Sequence, residues 1–426
     1  MRRRPVGKDV PVRVLVLGRG AREHALAWKF SRSRKISGLF VAPGNAGTDE
    51  IATNLSGVGE NDVETVIEQC RELQINLVFV GGETALAEGI VDRLKAEGIP
   101  TIGPGKKSAQ LESSKAFSKD FMSRHAIPTA EYKTFTYLPA FEEYLDGLQG
   151  KVVIKKSGLA GGKGVLESED REELRSFGAA VLEDDSLVVE EFLTGYELSV
   201  FALTDGKGYL LLPPCADYKK AGAGTTGPNT GGMGAVCPVP WVVEGDWSRL
   251  VEEVVEPTFR GMAADGLGYR GVLYFGLMIT PEGPKVLEYN VRFGDPETQA
   301  LMPLIRNDFV DLCRNMLKGT IPDVEIQTTG DVAVGVVVAS DGYPNQESKP
   351  ARVEGLPEWT DRLHVFHAGT RREEGAILTP SGRCFTVVGT AQDLLAARSL
   401  AYQGAHAVSF EGAWYRPDIG ARIFGS

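Results

Sequence analysis

Ser157-Gly158-Leu159-Ala160-Gly161-Gly162-Lys163-Gly164 sits between the β-branched run Lys151–Lys156 and a second short run from Val165. The glycines and Lys163 suggest a loop that cradles phosphate. It is not a Walker A loop: Ser157 stands where its first Gly belongs, and Gly164 replaces the Ser/Thr after the Lys. The flanks read strand and strand, where a P-loop needs strand and helix. A flexible Gly loop between two strands suits a lid folding over phosphates through its N–H groups. A long hairpin turn is the plainer alternative; the glycine density beside Lys155 and Lys163 favours the lid.

Upstream of this stretch the first hundred residues alternate strand and helix. Val12–Leu17, Leu39–Val41, Leu77–Val80 and Ile99–Ile102 are strand-like, and Ala21–Ser31, a stretch capped by Asn61 or Asp62, and Ala85–Ala96 are helix-like. That rhythm predicts a doubly wound parallel sheet, whose ligands sit at the carboxyl ends of the strands. Gly18-Arg19-Gly20-Ala21-Arg22-Glu23 lies at such an end and resembles G-x-G-x-x-G with Glu23 as the third Gly. No acid follows the second strand to hold a dinucleotide ribose; Pro43-Gly44-Asn45 stands there instead. A smaller phosphate ligand at this helix N-terminus and a merely tight turn remain as readings. His24 is equally readable as a packed histidine or a ligand contact.

Downstream the pattern becomes α+β. Ser113–Arg124 predicts a helix, Gly195–Leu212 a hairpin at Asp205-Gly206, and Asp217–Gly234 a long polar loop without structure. Gly271–Thr280 and Lys285–Asn290 form a further strand pair, carrying Glu288-Tyr289-Asn290-Val291-Arg292-Phe293-Gly294-Asp295-Pro296-Glu297 at its end. On a strand, Glu288, Asn290 and Arg292 share one face. Two oxygen donors suit a hard cation that also takes substrate phosphates, and Arg292 suits a carboxylate or phosphoryl group. A solvated strand face is the alternative. Beyond Gly330 a compact block of short strands ends in a helix near Gln392–Tyr402. The fold class is therefore α/β and α+β, in several domains.

The 426 residues are 42% hydrophobic and 24% charged, as expected of an ordinary globular chain. At ~150 residues per domain the length suggests about three domains. The 46 basic residues against 57 acidic ones leave a net charge of -11, which excludes broad nucleic-acid binding but permits a local cationic pocket. No apolar run reaches the ~20 residues of a membrane span. The five cysteines are scattered, with no CxxC pair, so no zinc or disulfide framework is expected, and the reading is cytoplasmic.

Seven stretches in order resemble the glycinamide ribonucleotide synthetase family (phosphoribosylamine–glycine ligases) of the ATP-grasp superfamily. They are residues 18–25, 41–48, 114–121, 158–165, 226–235, 292–299 and 366–370, and the resemblance runs from Val12 to Ile423. It implies an N-terminal Rossmann-like domain over 1–106, an ATP-grasp domain over 107–328 with a lid about 127–195, and a small β-rich domain over 329–426. It implies ATP-dependent joining of glycine to 5-phosphoribosylamine through glycyl phosphate, an early step of purine synthesis. Lys115, Lys155, Gly161, Gly162, Lys163 and Gly164 would hold ATP phosphates, Glu190, Glu191, Phe192 and Leu193 the adenine, and Glu197 the ribose. Glu288 and Asn290 would hold Mg²⁺ or Mn²⁺. Lys155, Arg292 and Asp295 would act in the chemistry, with Asp295 pairing the glycine ammonium. Gly18, Gly20, His24, Asn45, Gly81, Glu83, Asn229, Thr230, Gly231, Gly232, Met233, Arg292, Gly294 and Asp295 would meet the other substrates. The family implies small-molecule partners only and a monomer or weak homodimer. This chain departs from the family at Ser157 and Thr225, where acids are usual, and at Gly82, Tyr218, Lys220 and Glu183–Ser186. Another ATP-grasp carboxylate–amine ligase, or a nucleotide-binding relic without turnover, are the competing readings.

Overall fold

The computed structural model describes residues 11–161 and 164–421; Gly162 and Lys163 of the expected phosphate loop lie outside the described residues. The N-terminal part is a five-stranded parallel sheet in the order Thr53–Asn54, Ile36–Pro43, Val12–Gly18, Leu77–Val80, Thr101–Ile102. Val12–Gly18 carries apolar side chains on both faces because both are covered: Val14 and Val16 join one buried cluster, Leu15 and Leu17 another. The helix expected over 85–96 is two, Glu83–Glu88 and Ile90–Ala96, parted by Gly89 at φ 91°. Asp62 caps helix Val63–Glu72 through the Thr65 N–H.

The middle of the chain builds two antiparallel four-stranded sheets. One orders Tyr132–Phe135, Leu187–Glu191, Val152–Lys156 and Val165–Ser168, backed by helices Leu138–Gly147 and Arg171–Val181. Phe135, Phe141, Ile154, Leu174 and Leu187 give it a small core of its own. The other orders Tyr209–Leu211, Tyr196–Thr204, Gly271–Thr280 and Gly283–Asn290. Its last strand stops at Asn290, so Arg292 lies beyond it rather than on the strand with Glu288 and Asn290. The Val291 N–H donates to Glu112 Oε2 at 2.8 Å, which turns the chain away from the ladder.

Half of the expected loop over 217–234 is strand. Lys220–Gly222 pairs with Thr226–Asn229 as a hairpin, and the flanking segments Ala216–Asp217 and Gly234–Cys237 pair with each other. Gly234–Cys237 also pairs with Val332–Ala339 about a hundred positions away. A glycine-rich segment has little β-propensity, so its strand character comes from that distant partner. The sheet so formed continues through Arg383–Ala391 to Leu363–His367 and is covered by helix Leu394–Ala407. The expected boundary at 328/329 therefore parts, in sequence, strands that belong to one continuous sheet.

Candidate active site

A cavity of about 970 Å³ opens between the two four-stranded sheets, with the N- and C-terminal parts closing its far wall. Strand Val152–Lys156 delivers Lys155, whose Nζ lies 3.0 Å from Glu190 Oε2 on the neighbouring strand. Lys119, one turn into helix Lys115–Arg124, approaches the other oxygen of Glu190 at 3.3 Å and donates to Thr129 Oγ1 at 2.7 Å. Lys119 and Glu190 are both buried, and burial pulls the ammonium down to about 8 although Glu190 opposes the shift. Lys115 opens the same helix behind the Ser114 cap, and its Nζ donates to the Gly158 carbonyl at 3.3 Å. Burial lowers it too, against the pull of Glu288. Three lysines thus converge on one end of the cavity from a helix and a strand.

Glu288 and Asn290 face them from the second sheet. Burial pushes the Glu288 carboxyl up, but Lys219, Lys155, Lys115 and Arg292 together outweigh it and hold the group below the ordinary carboxylate range. An ionised carboxylate beside an amide oxygen is a fit donor pair for a hard divalent cation. Among the described residues no group of three or more His, Cys, Asp or Glu could hold a metal ion. Lys219, from the segment expected to be a loop, bridges Glu197 at 3.0 Å and Glu288 at 3.7 Å. Glu197, and Glu191, Phe192 and Leu193, the residues expected at the adenine, line the same cavity. Glu190 points its side chain at the lysines, and Glu191 is taken up by Lys285 at 2.8 Å. Their backbone, not their carboxylates, is what remains for a ring.

Arg292 forms ion pairs with Glu112 at 2.8 Å and Glu83 at 3.4 Å. The Arg292 charge, working against burial, holds Glu83 down at about 2. Arg22 reaches the cavity beside them, with Nη1 donating to the Phe293 carbonyl at 3.2 Å. Asp295 is already engaged: Arg383 lies 3.3 Å from its Oδ1, and Gln299 donates to the same oxygen at 2.7 Å. Its Oδ1 is thus engaged within the fold, while the residue lines the cavity.

Of the other expected substrate contacts, Asn229, Thr230, Gly231 and Gly294 line the cavity. Gly232 and Met233 lie just behind it; Met233 is fully buried. The N-terminal glycines do not reach it. Glu23 folds back so that Gly20 N–H donates to its Oε2 at 2.7 Å, which places a carboxylate of the chain where a phosphate was expected. A Cβ on Gly18 would lie 2.5 Å from Glu23 Cγ and one on Gly81 2.3 Å from Glu23 Oε1. Asn45 spends its side chain on Arg19 O, His367 O and the Gly47 and Thr48 N–H groups. His24 accepts from the His367 N–H at 2.9 Å and packs among Trp359, Phe366 and His367, a histidine of the interface between the N- and C-terminal parts. Ser157, where the family carries an acid, is 2% exposed. Its hydroxyl accepts the Ala116 N–H at 3.1 Å, so it braces the Lys115 helix without facing the cavity. Arg22, Glu112, Lys119, Lys219 and Arg383 were missed by the sequence reading. Arg22, Lys119 and Lys219 carried a signal, each lying in or beside a quoted motif.

Two antiparallel sheets clasping a cavity, lysines on one and oxygen donors on the other, are the arrangement of an ATP-grasp ligase. The family described as "Phosphoribosylglycinamide synthetase, ATP-grasp (A) domain" matches residues 113–298, its N domain matches 12–112 and its C domain 333–422. The phosphoribosylamine–glycine ligase of Chlorobaculum tepidum is 42% identical over 96% of this chain and 100% of its own length. The trifunctional purine biosynthetic protein adenosine-3 of Gallus gallus is also 42% identical over 96% of this chain, which spans only 42% of that longer protein. The crystal structure of the Thermotoga maritima phosphoribosylamine–glycine ligase superposes with a TM-score of 0.83 at 35% identity, covering 96% of this chain and 100% of that one. This chain belongs to the phosphoribosylglycinamide synthetase family, an ATP-dependent ligase family of purine biosynthesis. Among the described residues no helix is long and apolar enough to cross a membrane.

Proposed function

We propose that the chain joins glycine to 5-phosphoribosylamine at the expense of ATP, releasing ADP and phosphate, and that the 970 Å³ cavity is where it does so. The observation that carries the assignment of roles is the convergence of Lys115, Lys119 and Lys155 opposite Glu288, Asn290 and Arg292 across one cavity. Phosphoryl transfer needs positioning and charge stabilisation rather than covalent help from the protein. Lys115 and Lys155 hold the ATP phosphates, with Lys119 keeping Glu190 occupied. Backbone of 191–193 holds adenine, and Glu197 holds the ribose. Glu288 and Asn290 offer their oxygens to Mg²⁺ or Mn²⁺, which when bound neutralises phosphate charge. Glycine's carboxylate attacks the γ-phosphorus, the bond to the ADP oxygen breaks, and glycyl phosphate forms. Arg292, held ionised and half-buried between Glu83 and Glu112, stands ready for the acyl phosphate. The amine of phosphoribosylamine then attacks the acyl carbon, phosphate leaves, and the amine gives up a proton. Because an acyl phosphate hydrolyses in water, the Gly158–Gly164 loop serves as the cover. The phosphoribosyl group lies toward Arg22 and Glu83, the two N-terminal side chains that reach the cavity. Elements of all parts of one chain wall the cavity, which supports a monomer as the working unit.

The test is ADP release with ATP, a divalent cation, glycine, and phosphoribosylamine formed in place from ribose 5-phosphate and ammonia. ADP that requires both partners and comes with a glycinamide ribonucleotide mass supports the reading. ADP formed with another acid or amine but not this pair overturns it.

A further inference from the structure

Lys219 and Lys220 stand side by side where the chain enters the hairpin of Lys220–Gly222 and Thr226–Asn229, and they pair with acids of different sheets. Lys219 turns to Glu197 and Glu288. Lys220 turns to Glu167 Oε1 at 3.0 Å, and Asn229, opposite it in the hairpin, donates to the same oxygen at 3.4 Å. Glu167 lies on Val165–Ser168, the strand that follows the glycine loop and forms the outer edge of the lid sheet. Lys151 reaches its other oxygen at 3.5 Å. Burial pushes the Glu167 carboxyl up, but Lys220, Asn229 and Lys151 outweigh it and keep the group below the ordinary carboxylate range.

The hairpin is in turn held from the far end of the chain. Arg416 is 2% exposed. Its Nη1 donates to the Lys220 carbonyl at 2.6 Å, and its Nε and Nη2 grip the Asp418 carboxylate at 2.9 and 2.8 Å. Its guanidinium lies 5.5 Å from the centre of the Tyr218 ring. Asp418 Oδ2 also accepts the Gly224 N–H at 2.8 Å, at the tip of the hairpin. The Tyr402 hydroxyl donates to the Arg416 carbonyl at 2.6 Å and accepts the Ile419 N–H at 2.8 Å, which fixes this segment on the last helix. Polar contacts thus run from the C-terminal segment through the hairpin to the lid strand, and Glu167, Lys220, Arg416 and Asp418 all line the cavity.

Strength is graded along this line of contacts. The Arg416–Asp418 end is bidentate and buried at the guanidinium, the geometry of a fixed strut. At the Glu167–Lys220 end both side chains are about a quarter exposed, and a pair in that setting is weak. A firm base with a weak tip suits a cover that must stay down while an acyl phosphate exists and part when product leaves. The ties of Glu190 to Lys119 and of Glu191 to Lys285 sit on Leu187–Glu191, two strands in from the edge. Those hold the root of the lid; Glu167 holds its rim.

We infer that Glu167, Lys220 and the Arg416–Asp418 pair form a clasp by which the C-terminal segment holds the rim of the lid over the reacting groups and keeps water from the acyl phosphate. This rests on the ligase reading above. All four are positioning residues, acting through the hairpin and the lid strand. Water attacking glycyl phosphate returns glycine and phosphate, so each leak consumes an ATP without product.

The wild-type protein comes first: ADP that needs both glycine and phosphoribosylamine decides the ligase reading separately. The readout for the clasp is the ratio of ADP to glycinamide ribonucleotide formed, which a defect that merely lowers the amount of active enzyme leaves at its wild-type value. Glu167→Gln and Lys220→Met are expected to raise that ratio roughly 2- to 5-fold, with the KM for glycine within about twofold of wild type. Lys220→Arg keeps the cation and should return the ratio to the wild-type value. Asp418→Asn loosens Arg416 and the hairpin tip together and should raise the ratio as well. If Asp418→Asn fails to fold, the variants at the partly exposed Glu167 and Lys220 carry the comparison. A ratio unchanged in both of them overturns the inference with the ligase reading intact. If the wild type forms no ADP with this substrate pair, the ligase reading falls instead, and tryptic cleavage of the lid in the presence of ADP and Mg²⁺ decides the clasp. Faster cleavage in Lys220→Met than in wild type then supports it, and equal rates overturn it.

Discussion

Two glycine-rich turns follow strands in this chain, and they have opposite fates. The turn after Val12–Gly18 is filled by the chain's own Glu23, whose carboxylate caps the helix and touches the space above Gly18, Gly20 and Gly81. The turn after Val152–Lys156 opens over the cavity, and nothing lies within 4 Å of where a Cβ of Gly161 would be. Both look alike in sequence, because glycine reports only that a side chain is not tolerated. Whether the space is kept for a ligand or for a neighbouring residue is decided by what folds into it.

The largest effects should fall on the open side. Glu288→Gln is expected to lower kcat by roughly 10³-fold or more with Tm nearly unchanged, since it removes charge from the phosphate end. Near-normal turnover would take Glu288 out of the metal role. Arg292→Lys keeps the charge but loses the fork between Glu83 and Glu112, and a fall in kcat/KM of about 10²-fold is expected. Little change would make Arg292 a strut between two acids.

The closed side should answer in stability. Gly81→Ala drives a methyl group into Glu23 and should destabilise the fold by about 1–3 kcal/mol, read as a lower urea midpoint. Gly161→Ala meets no atom and should lower stability only by the roughly 1 kcal/mol of its left-handed φ of 54°, at the low end of the range for Gly81→Ala. Equal losses at the two sites would dissolve the contrast.

A smaller effect should appear in acid. Burial holds His364 and His367 down at about 4, against 6.5 in the unfolded chain. The unfolded state therefore binds protons that the folded state refuses, and stability should fall as pH drops from 6.5 toward 4. The window for Glu83 is separate: its folded value of about 2 gives stability present above 4.5 and lost as pH falls toward 2. His364→Phe, at a ring packed on Trp28 and Phe366, should flatten the slope of the urea midpoint between pH 7 and pH 5. An unchanged slope would assign the acid sensitivity elsewhere.

Much of this was legible in local pattern. The parallel sheet followed from apolar runs ending in glycine, and the Lys155, Glu288 and Asn290 positions followed from strands with charges at their ends. What failed to show was contact between distant segments. Gly234–Cys237 becomes a strand only because Val332–Ala339 lies beside it. Arg383 sits in an ordinary strand of the last block and reaches the cavity across the fold. Ser157 looked like a lost catalytic acid and is a buried brace for the Lys115 helix. Periodicity has no access to any of these, because each depends on the partner rather than on the residue.

The sheet shared between Ala216–Asp217, Gly234–Cys237 and the C-terminal strands sets a limit on how the molecule can be divided. A scission near 328 would strip Gly234–Cys237 of its partner and leave a bare apolar edge, a template for aggregation. The piece that recombination or gene fusion can move intact is thus the three-part whole, and the match to the longer avian protein takes in 96% of this chain.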